Sequence, residues 1–566
     1  MAVMQQARRL TGTSLLVLFL LSACAAAEPL SDGRPATSFT PSGLDADILV
    51  GHAAELQADP ATAARAFDKA LAVRPNDPGL VQQAFITSLL DGRYEAAESL
   101  ARQLPDNQIA QVLLVNRDIR ARRWAAADTR LRAMPHQGLT EILQPLMLAW
   151  NEAGQGHTAR ALGTLQPLMG AQQFRGLFAL HAAMIADLAE RTDDAAKFYR
   201  IANTEMPDLN LRLAQILASW QTRAGQPAEA ARTLADLGDA APEMAIILPK
   251  LLATSEQRPV TGPADGIAEA YLALAAALRG GDSSDLAMIM LRLALDLRPD
   301  FTAARLVGAE ILSDGGHYSE ALRMLAAVSA DDPLGPVIVM RRAALTAQVG
   351  RPADALHDLD RLAAQFPDSP LPGIMQGDVY STTHQFRDAA AAYSRAINRL
   401  RPPRPSDWPV FYQRGIAYDQ SHDWPRAEAD FRRALSLVPN QPSVLNYLGY
   451  SWANKDQHLA EARQMLDKAA AGQPADGAII DSLGFVMLRQ GEVSQAVATL
   501  QRAVELEPED STINMHLGDA YAAAGRKLEA HYQWRRALTL NPTPDDATKL
   551  EAKLQSPKNG AVVSGQ

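Results

Sequence analysis

The chain has 566 residues, a formal net charge of −10 and 47% hydrophobic residues. This length is too great for one hydrophobic core, so we expect several packed units or an array of repeats. The charge is spread without long runs and no basic stripe appears, which argues against a nucleic-acid-binding protein. The single cysteine, Cys24, excludes a disulfide framework within the chain and a metal site built from cysteines.

The N-terminus has the pattern of an export signal. Arg8 and Arg9 precede a short apolar stretch at 11–21. This stretch is shorter than the roughly 20 apolar residues that a transmembrane helix needs. We therefore expect a signal peptide over 1–23.

The end of this signal resembles the lipobox of bacterial lipoproteins, since it reads Leu21-Ser22-Ala23-Cys24. The resemblance implies that acyl chains on Cys24 anchor the mature chain to a membrane. Ala25 follows the cysteine in place of an aspartate, which favours the outer membrane over the inner one. The alternative is an ordinary cleavage site with a cysteine nearby by chance.

Residues 24–43 are rich in Pro, Ser, Gly and Thr and show no apolar period. This composition is typical of a flexible tether, and about 19 such residues reach about 25 Å. From Leu44 onward, small and large apolar residues recur at a spacing of mostly 34 or 35, as with Ala63-x-x-x-Phe67 and Ala195-x-x-x-Tyr199. We interpret 44–244 as an N-terminal array of helix pairs.

The period breaks at 245–266, where Pro249 and the turn-forming sequence QRPVTGPADG at 257–266 predict a helix remnant and a loop. This segment is either a joint between two arrays or an insertion on one face. The period resumes over 267–543, where Pro299, Pro333 and Pro367 lie 34 residues apart. Residues 544–566 are predicted to form a capping helix followed by a disordered tail.

The clearest repeats lie at 478–542, where a shift of 34 places Leu483-Gly484 on Leu517-Gly518. A period of 34 is typical of a helix–turn–helix repeat. The pattern resembles the tetratricopeptide repeat (TPR) family, and the residues that carry the resemblance are Leu517, Gly518, Tyr521, Ala530, Trp534, Ala537 and Pro542. The resemblance implies an all-α fold, a right-handed α-solenoid of about 14 helix–turn–helix repeats.

No reactive constellation is apparent in the sequence. The 11 histidines are scattered, without an H-E-x-x-H helix or metal-ligand spacing. Gly154-x-Gly156-x-x-Ala159 matches a dinucleotide-binding motif, but that motif requires a preceding strand and helical sequence precedes it here. We therefore expect no catalytic residue, metal or cofactor.

The TPR resemblance implies that the first helices of the repeats line a concave groove that binds an extended peptide or a helix. It places eight residues on that groove: Tyr412, Asp419, Asn446, Tyr450, Asp481, Phe485, Met515 and Asp519. Aromatic side chains beside Asn and Asp suit a peptide held by apolar contacts and hydrogen bonds. The alternative is that some of them pack between helices and bind nothing. The set lacks the Lys/Arg/Asn clamp of chaperone partners, so chaperone tails are disfavoured as ligands.

The main hypothesis is a non-enzymatic scaffold, lipid-anchored and facing the periplasm, which binds other envelope proteins. Assembly, secretion and polysaccharide-export machinery are the settings that TPR lipoproteins suggest. The alternative is a carbohydrate-engaging protein or an accessory subunit of a polysaccharide enzyme, which aromatic residues such as Tyr412, Tyr450 and Trp452 permit.

Overall fold

The computed structural model of the protein describes residues 43–170, 174–206, 210–279, 283–329, 331–400 and 402–555. Within these ranges all regular structure is helical, and thirty α-helices form fourteen helix–turn–helix pairs with two further helices. The predicted all-α array of helix–turn–helix repeats is thus confirmed. The predicted signal peptide, Cys24, nearly all of the tether and the end of the tail lie outside the described residues.

Packing divides the chain into two compact units, on either side of the Pro367–Asp368 bond. The helices of the N-terminal unit are α1 (Leu44–Leu56), α2 (Pro60–Val73), α3 (Pro78–Asp91), α4 (Tyr94–Ala101), α5 (Gln108–Arg120), α6 (Trp124–Ala133), α7 (Leu139–Gly154), α8 (Thr158–Leu165), α9 (Arg175–Leu188), α10 (Thr192–Glu205), α11 (Leu211–Arg223), α12 (Pro227–Ala240), α13 (Leu248–Ala253), α14 (Pro263–Ala277), α15 (Ser284–Leu297), α16 (Thr302–Asp314), α17 (Tyr318–Ala326), α18 (Gly335–Gln348) and α19 (Pro352–Gln365).

The C-terminal unit contains the remaining helices. They are α20 (Leu371–Thr382), α21 (Phe386–Ile397), α22 (Trp408–Gln420), α23 (Trp424–Leu437), α24 (Pro442–Asn454), α25 (Leu459–Gly472), α26 (Gly477–Arg489), α27 (Val493–Leu506), α28 (Ser511–Ala523), α29 (Lys527–Thr539) and α30 (Pro544–Gln555). Helix α30 occupies the place of a further first helix, because it packs against α29 at the end of the last pair.

Local sequence explains where these helices begin and end. The side chains of Asp77, Asn107, Asp476 and Asp510 accept hydrogen bonds from backbone N–H groups of the first turn of α3, α5, α26 and α28.

The turn inside a pair needs a residue with left-handed backbone geometry, which glycine adopts without strain. The residues with this geometry in the described turns are Ala58, Gly92, Arg122, Gly156, Glu190, Gly225, Gly316, Gly350, His384, His422, Asp456 and His458 in one turn, Gly491 and Gly525. Gly156 of the dinucleotide-like match is one of these turn residues, between helices α7 and α8.

The inner face of the N-terminal unit, which we define as the face formed by first helices α3, α5, α7, α9 and α11, is covered by the chain itself. Helix α14 packs against α7 and also contacts α5 and α9, while α15 contacts α3 and α5. Their core side chains are almost inaccessible, as at Ile267, Tyr271 and Leu291, each 0% exposed. The pair α14–α15 is therefore the core of this unit.

Buried polar contacts fix α14 and α15 on this face. Asn116 on α5 donates to the Leu293 carbonyl oxygen at 3.1 Å and to Asp296 at 3.2 Å, and it accepts from the Tyr271 hydroxyl at 2.8 Å. Arg120 lies 3.0 Å from Asp296, which is 2% exposed. Burial raises the pKa of the Asp296 carboxyl to about 6, despite the attraction of Arg120.

A second contact joins α14 to α7 and α9. The fully buried indole of Trp150 lies directly against Gly266, and its Nε1 donates to His181 Nδ1 at 2.9 Å. Burial lowers the pKa of His181 to about 3, so its imidazole is neutral and can accept this bond. A side chain at position 266 would occupy the space of the indole.

The segment 245–266 leads the chain to this inner position. It contains α13 and a stretch without helix that lies against α11, where Ser219 donates to the Gln257 carbonyl oxygen at 2.8 Å. Arg258 donates to the Asp187 carbonyl oxygen at 3.2 Å. These contacts hold the segment inside the N-terminal unit. A boundary between two repeat arrays at this segment stays a prediction.

We expect Gly266→Val to destabilise the N-terminal unit by about 3 kcal/mol or more, because the new side chain would overlap the Trp150 indole in a packed core. Pulse proteolysis across a guanidinium series, reading cleavage within 263–297, measures this change. The matched control is Gly163→Ala on the exposed side of α8, where an added Cβ meets open space. That control should be stabilising by about 0.5–1 kcal/mol. Equal midpoints for both variants would contradict the packing described for α14.

We expect the Asp296 carboxyl to make the N-terminal unit less stable as the pH rises. Its pKa is about 6 in the folded chain and 3.8 as the ordinary value. The folded state therefore holds the proton more tightly, and its stability falls between about pH 4 and pH 6 by about 3 kcal/mol. In Asp296→Asn this contribution is absent. The free energy of unfolding of the wild-type chain minus that of Asp296→Asn should fall by this amount between pH 4 and pH 7. A difference that does not change with pH would contradict the prediction.

Candidate functional site

The eight predicted groove residues all lie on first helices of the C-terminal unit. Two lie on each of α22, α24, α26 and α28, in the order Tyr412 and Asp419, Asn446 and Tyr450, Asp481 and Phe485, Met515 and Asp519. Seven of them stand three residues before or one residue after the glycine at the middle of their helix. Contacts between α24 and α26 and between α26 and α28 bring these positions together. We call the face that they share the C-terminal groove.

An aromatic cluster joins three successive first helices in this groove. The ring centroids of Tyr450 and Phe485 lie 5.3 Å apart, and those of Phe485 and His516 lie 4.6 Å apart. Tyr450 and His516 also come within 6.3 Å, although they stand two pairs apart in the chain. Burial raises the pKa of the Tyr450 hydroxyl, which keeps it neutral and able to donate. Tyr450 and Phe485 remain partly exposed on the groove.

His516 forms a buried pair with Asp481. Its Nδ1 lies 2.8 and 3.0 Å from the two carboxylate oxygens, and the two side chains are only about 5% exposed. Burial alone would lower the pKa of His516, but the Asp481 carboxylate outweighs burial and raises the pKa above its ordinary value. The pair therefore favours an imidazolium–carboxylate contact between α26 and α28.

His516 is not among the predicted groove residues, because it stands two residues before Gly518 and not at a groove position. Tyr447 has the same place relative to Gly449, and its ring centroid lies 6.0 Å from that of the predicted groove residue Tyr412. A large ring at this repeat position is the signal that could have identified both residues.

Two polar side chains in the groove are buried without a hydrogen bond. Tyr412 and Asn446 are each 6% exposed, and neither the Tyr412 hydroxyl nor the Asn446 carbonyl oxygen has a partner among the described residues. Tyr412 packs against the rings of Trp408 and Phe431, at 5.8 and 5.9 Å. Buried polar groups in folded proteins nearly always have a partner, so these two groups on adjacent first helices are candidates for contact with a ligand.

The other predicted residues are engaged within the fold. Asp419 accepts from the Tyr447 hydroxyl at 3.0 Å. Asp519 accepts from Trp534 Nε1 at 2.9 Å and from Lys553 Nζ at 2.6 Å, which ties α30 to the last pair. Met515 is 6% exposed and packs in the core with Trp534. These contacts hold the wall of the groove in place.

A membrane-spanning helix and a metal centre are two other kinds of site, and neither occurs in the described ranges. Among those residues no helix combines the length and apolarity needed to cross a membrane. No three His, Cys, Asp or Glu side chains in the same ranges come together as possible metal ligands.

Comparison with known proteins identifies the repeats. The tetratricopeptide repeat family model matches residues 306–370, 412–477 and 487–545, which lie in both units. The TPR repeat-containing protein PA4667 of Pseudomonas aeruginosa is 28% identical over 181 residues, covering 32% of this chain and 30% of that protein.

Two further relatives are longer proteins. Cellulose synthase 2 operon protein C of Komagataeibacter xylinus is 27% identical over 532 residues, covering 85% of this chain and 35% of that protein. Bacteriophage adsorption protein A of Escherichia coli is 39% identical over 81 residues, covering 14% of this chain and 8% of that protein. In each of these relatives the match spans 35% of the length or less. With these family matches and its succession of helix pairs, the chain contains tetratricopeptide repeats.

Proposed function

We propose that the protein is a non-enzymatic scaffold of the bacterial cell envelope, which binds a segment of another envelope protein in its C-terminal groove. The observation that supports this most directly is the pair of buried, unpartnered polar groups on Tyr412 and Asn446. The inner face of the N-terminal unit is filled by α14 and α15, so it offers no comparable groove.

The chemistry of the groove suits an extended peptide. A peptide backbone presents both N–H donors and C=O acceptors. The Asn446 amide and the Tyr412 hydroxyl can form hydrogen bonds with either kind of group. Each such bond to a group that is otherwise buried and unpaired is worth about 1–3 kcal/mol, since leaving it unmade costs the desolvation of that group. The partly exposed rings of Tyr450 and Phe485 offer an apolar surface next to these groups for a side chain of the peptide.

A scaffold role also agrees with how the titratable groups of the groove are used. His516 is held by Asp481, and Asp519 by Lys553 and Trp534, so each serves a contact between helices. A general base or nucleophile needs instead a free face toward a substrate. The matched family is a repeat of helix pairs, which serves as an interaction module.

The envelope setting rests on the sequence at Cys24 and on the names of the relatives. The lipobox-like sequence before Cys24 would place acyl chains there, and Ala25 after it favours the outer membrane. Relatives named for a cellulose synthase operon and for bacteriophage adsorption suggest work at the bacterial surface. The protein would then face the periplasm, tethered by 24–43.

A second candidate function is an accessory role in polysaccharide synthesis or export, with glycan bound in the same groove. Two relatives carry the name cellulose synthase operon protein C, which is the observation in its favour. Tyr450 and Phe485 could stack on sugar rings as well as on peptide side chains. Glycan binding that disappears in Tyr450→Ala would support this candidate over the protein partner.

We expect Tyr412→Phe combined with Asn446→Ala to reduce capture of the partner by about tenfold or more, because two hydrogen bonds at the centre of the interface are lost. Cross-linking in cells with the wild-type chain identifies the partner, and its purified form then gives the change in Kd. Tyr412→Phe alone should leave the free energy of unfolding unchanged or raised, since the hydroxyl it removes has no partner in the fold.

The matched control for this pair is Tyr532→Phe, the same removal of a hydroxyl on the exposed side of α29. It should leave the partner's Kd unchanged. If the double variant binds as tightly as wild type while the control behaves as stated, the groove is not the binding site.

We expect Cys24→Ala to abolish acyl labelling and remove the covalent membrane anchor, because the acyl chains have no other attachment point in this sequence. Metabolic labelling with an alkyne fatty acid, followed by gel detection, measures the first effect. The control is Ser22→Ala, which keeps the cysteine and a small residue at the predicted cleavage site. Labelling that persists without Cys24 would overturn the anchor.

A further inference from the structure

Exposed apolar side chains concentrate in the first helix pair of the N-terminal unit. Leu49 is 66% exposed, Leu56 83%, and Val50 and Val73 are 47% and 63% exposed. Among the described residues, nine large apolar side chains have such exposure, and these four fall within residues 44–73. This is the largest such group among the described residues; a second one, Leu528 and Tyr532, lies on α29.

The face that carries Leu49 is one that packing covers elsewhere. Leu49 stands two residues before Gly51, where the ring of Phe67 lies over the helix. The residues at the same distance before Gly449, Gly484 and Gly518 are Tyr447, Ser482 and His516, which are 8%, 5% and 4% exposed, whereas Gln413, before Gly415, is exposed. Leu56, one full heptad after Leu49, extends the same face of α1, which also carries the exposed side chains of Asp45 and His52. Packing thus covers this position in three pairs of the C-terminal unit, and on α1 no described residue covers it.

We propose that this open face of α1 rests on a lipid bilayer, with Leu49 and Leu56 at the boundary between headgroups and acyl chains. The proposal rests on the proposed lipid at Cys24. The tether predicted between Cys24 and Leu44 has an expected reach of about 25 Å, which would hold α1 close to a membrane that carries the lipid on Cys24. An apolar helix face near a bilayer is stabilised by burial at that boundary.

The charges around the face specify how it binds. Residues 44–74 hold five acidic residues and only three arginines and lysines, so attraction to anionic lipids does not favour the contact. The interaction is hydrophobic, and anionic lipid weakens it by a repulsion that salt screens. This contact would give the N-terminal unit a defined orientation on the membrane, which a lipid on Cys24 alone does not provide.

A spin label on α1 tests the contact in the full lipidated chain. In Leu56→Cys the acylated Cys24 has no free thiol, so one nitroxide label is taken up at position 56. Reconstituted into phosphatidylcholine vesicles, this label should show a raised collision frequency with oxygen and a loss of collisions with a water-soluble nickel complex. The matched control, Leu528→Cys on α29, is 66% exposed and should keep the values of a label in water.

Each other outcome has a definite meaning. Nickel accessibility at position 56 equal to that at position 528 overturns the proposal. Dipolar coupling between labels of different chains shows that a second copy covers the face, and protection from both reagents without vesicles shows that the chain covers itself; either result overturns it. Adding Leu49→Asp to the labelled chain should restore nickel accessibility while the lipid keeps the chain on vesicles. Two labels per chain would show that Cys24 is not acylated, which is a failure of the anchor and not of the face.

Discussion

Each helix pair of the C-terminal unit depends on one close approach, in which a side chain of the second helix lies directly over a glycine of the first. A Cβ at Gly415 would come within 2.7 Å of the Phe431 ring, and one at Gly484 within 2.6 Å of Leu500. Such distances are impossible for any other residue without displacing the second helix. The approach also decides the groove, because the residues three before and one after the glycine then lie about 60° and 100° around the first helix from the glycine, on the same flank.

The packing of the pairs and the positions of the groove residues both depend on these glycines, which explains how much of the structure can be predicted from the sequence. A spacing of 34 between Leu483-Gly484 and Leu517-Gly518 encodes local packing, so helix pairs and the positions of groove residues can be predicted from it. The pairing of His516 with Asp481 cannot, because it depends on the angle between neighbouring first helices. Nor does a repeat pattern state that the Tyr412 hydroxyl lacks a partner, since that depends on every group around it.

The inner position of α14 and α15 is further still from what a pattern can encode. Asn116 and Asp296 meet across 180 residues of sequence. The sequence shows only that the period fails at 245–266, and that break leads the chain to the place where α14 enters the inner face. The two units therefore use their first helices differently. In one they surround a core, where Asn116 has three partners, and in the other they carry the partly exposed rings of Tyr450 and Phe485.

The packing of α14 and α15 on the inner face makes the N-terminal unit different from an open repeat array. Most repeat arrays are held by contacts between neighbours, so their repeats can be gained, lost or folded one at a time. Here α5 gains its buried partners only when α14 and α15 arrive, and contacts of such long sequence separation slow folding and make it cooperative. Loss or duplication of one pair between α3 and α11 would leave the central pair without its surrounding wall. The N-terminal unit thus has a fixed number of repeats, as a barrel has a fixed number of strands, while neighbour contacts predominate between the pairs of the C-terminal unit.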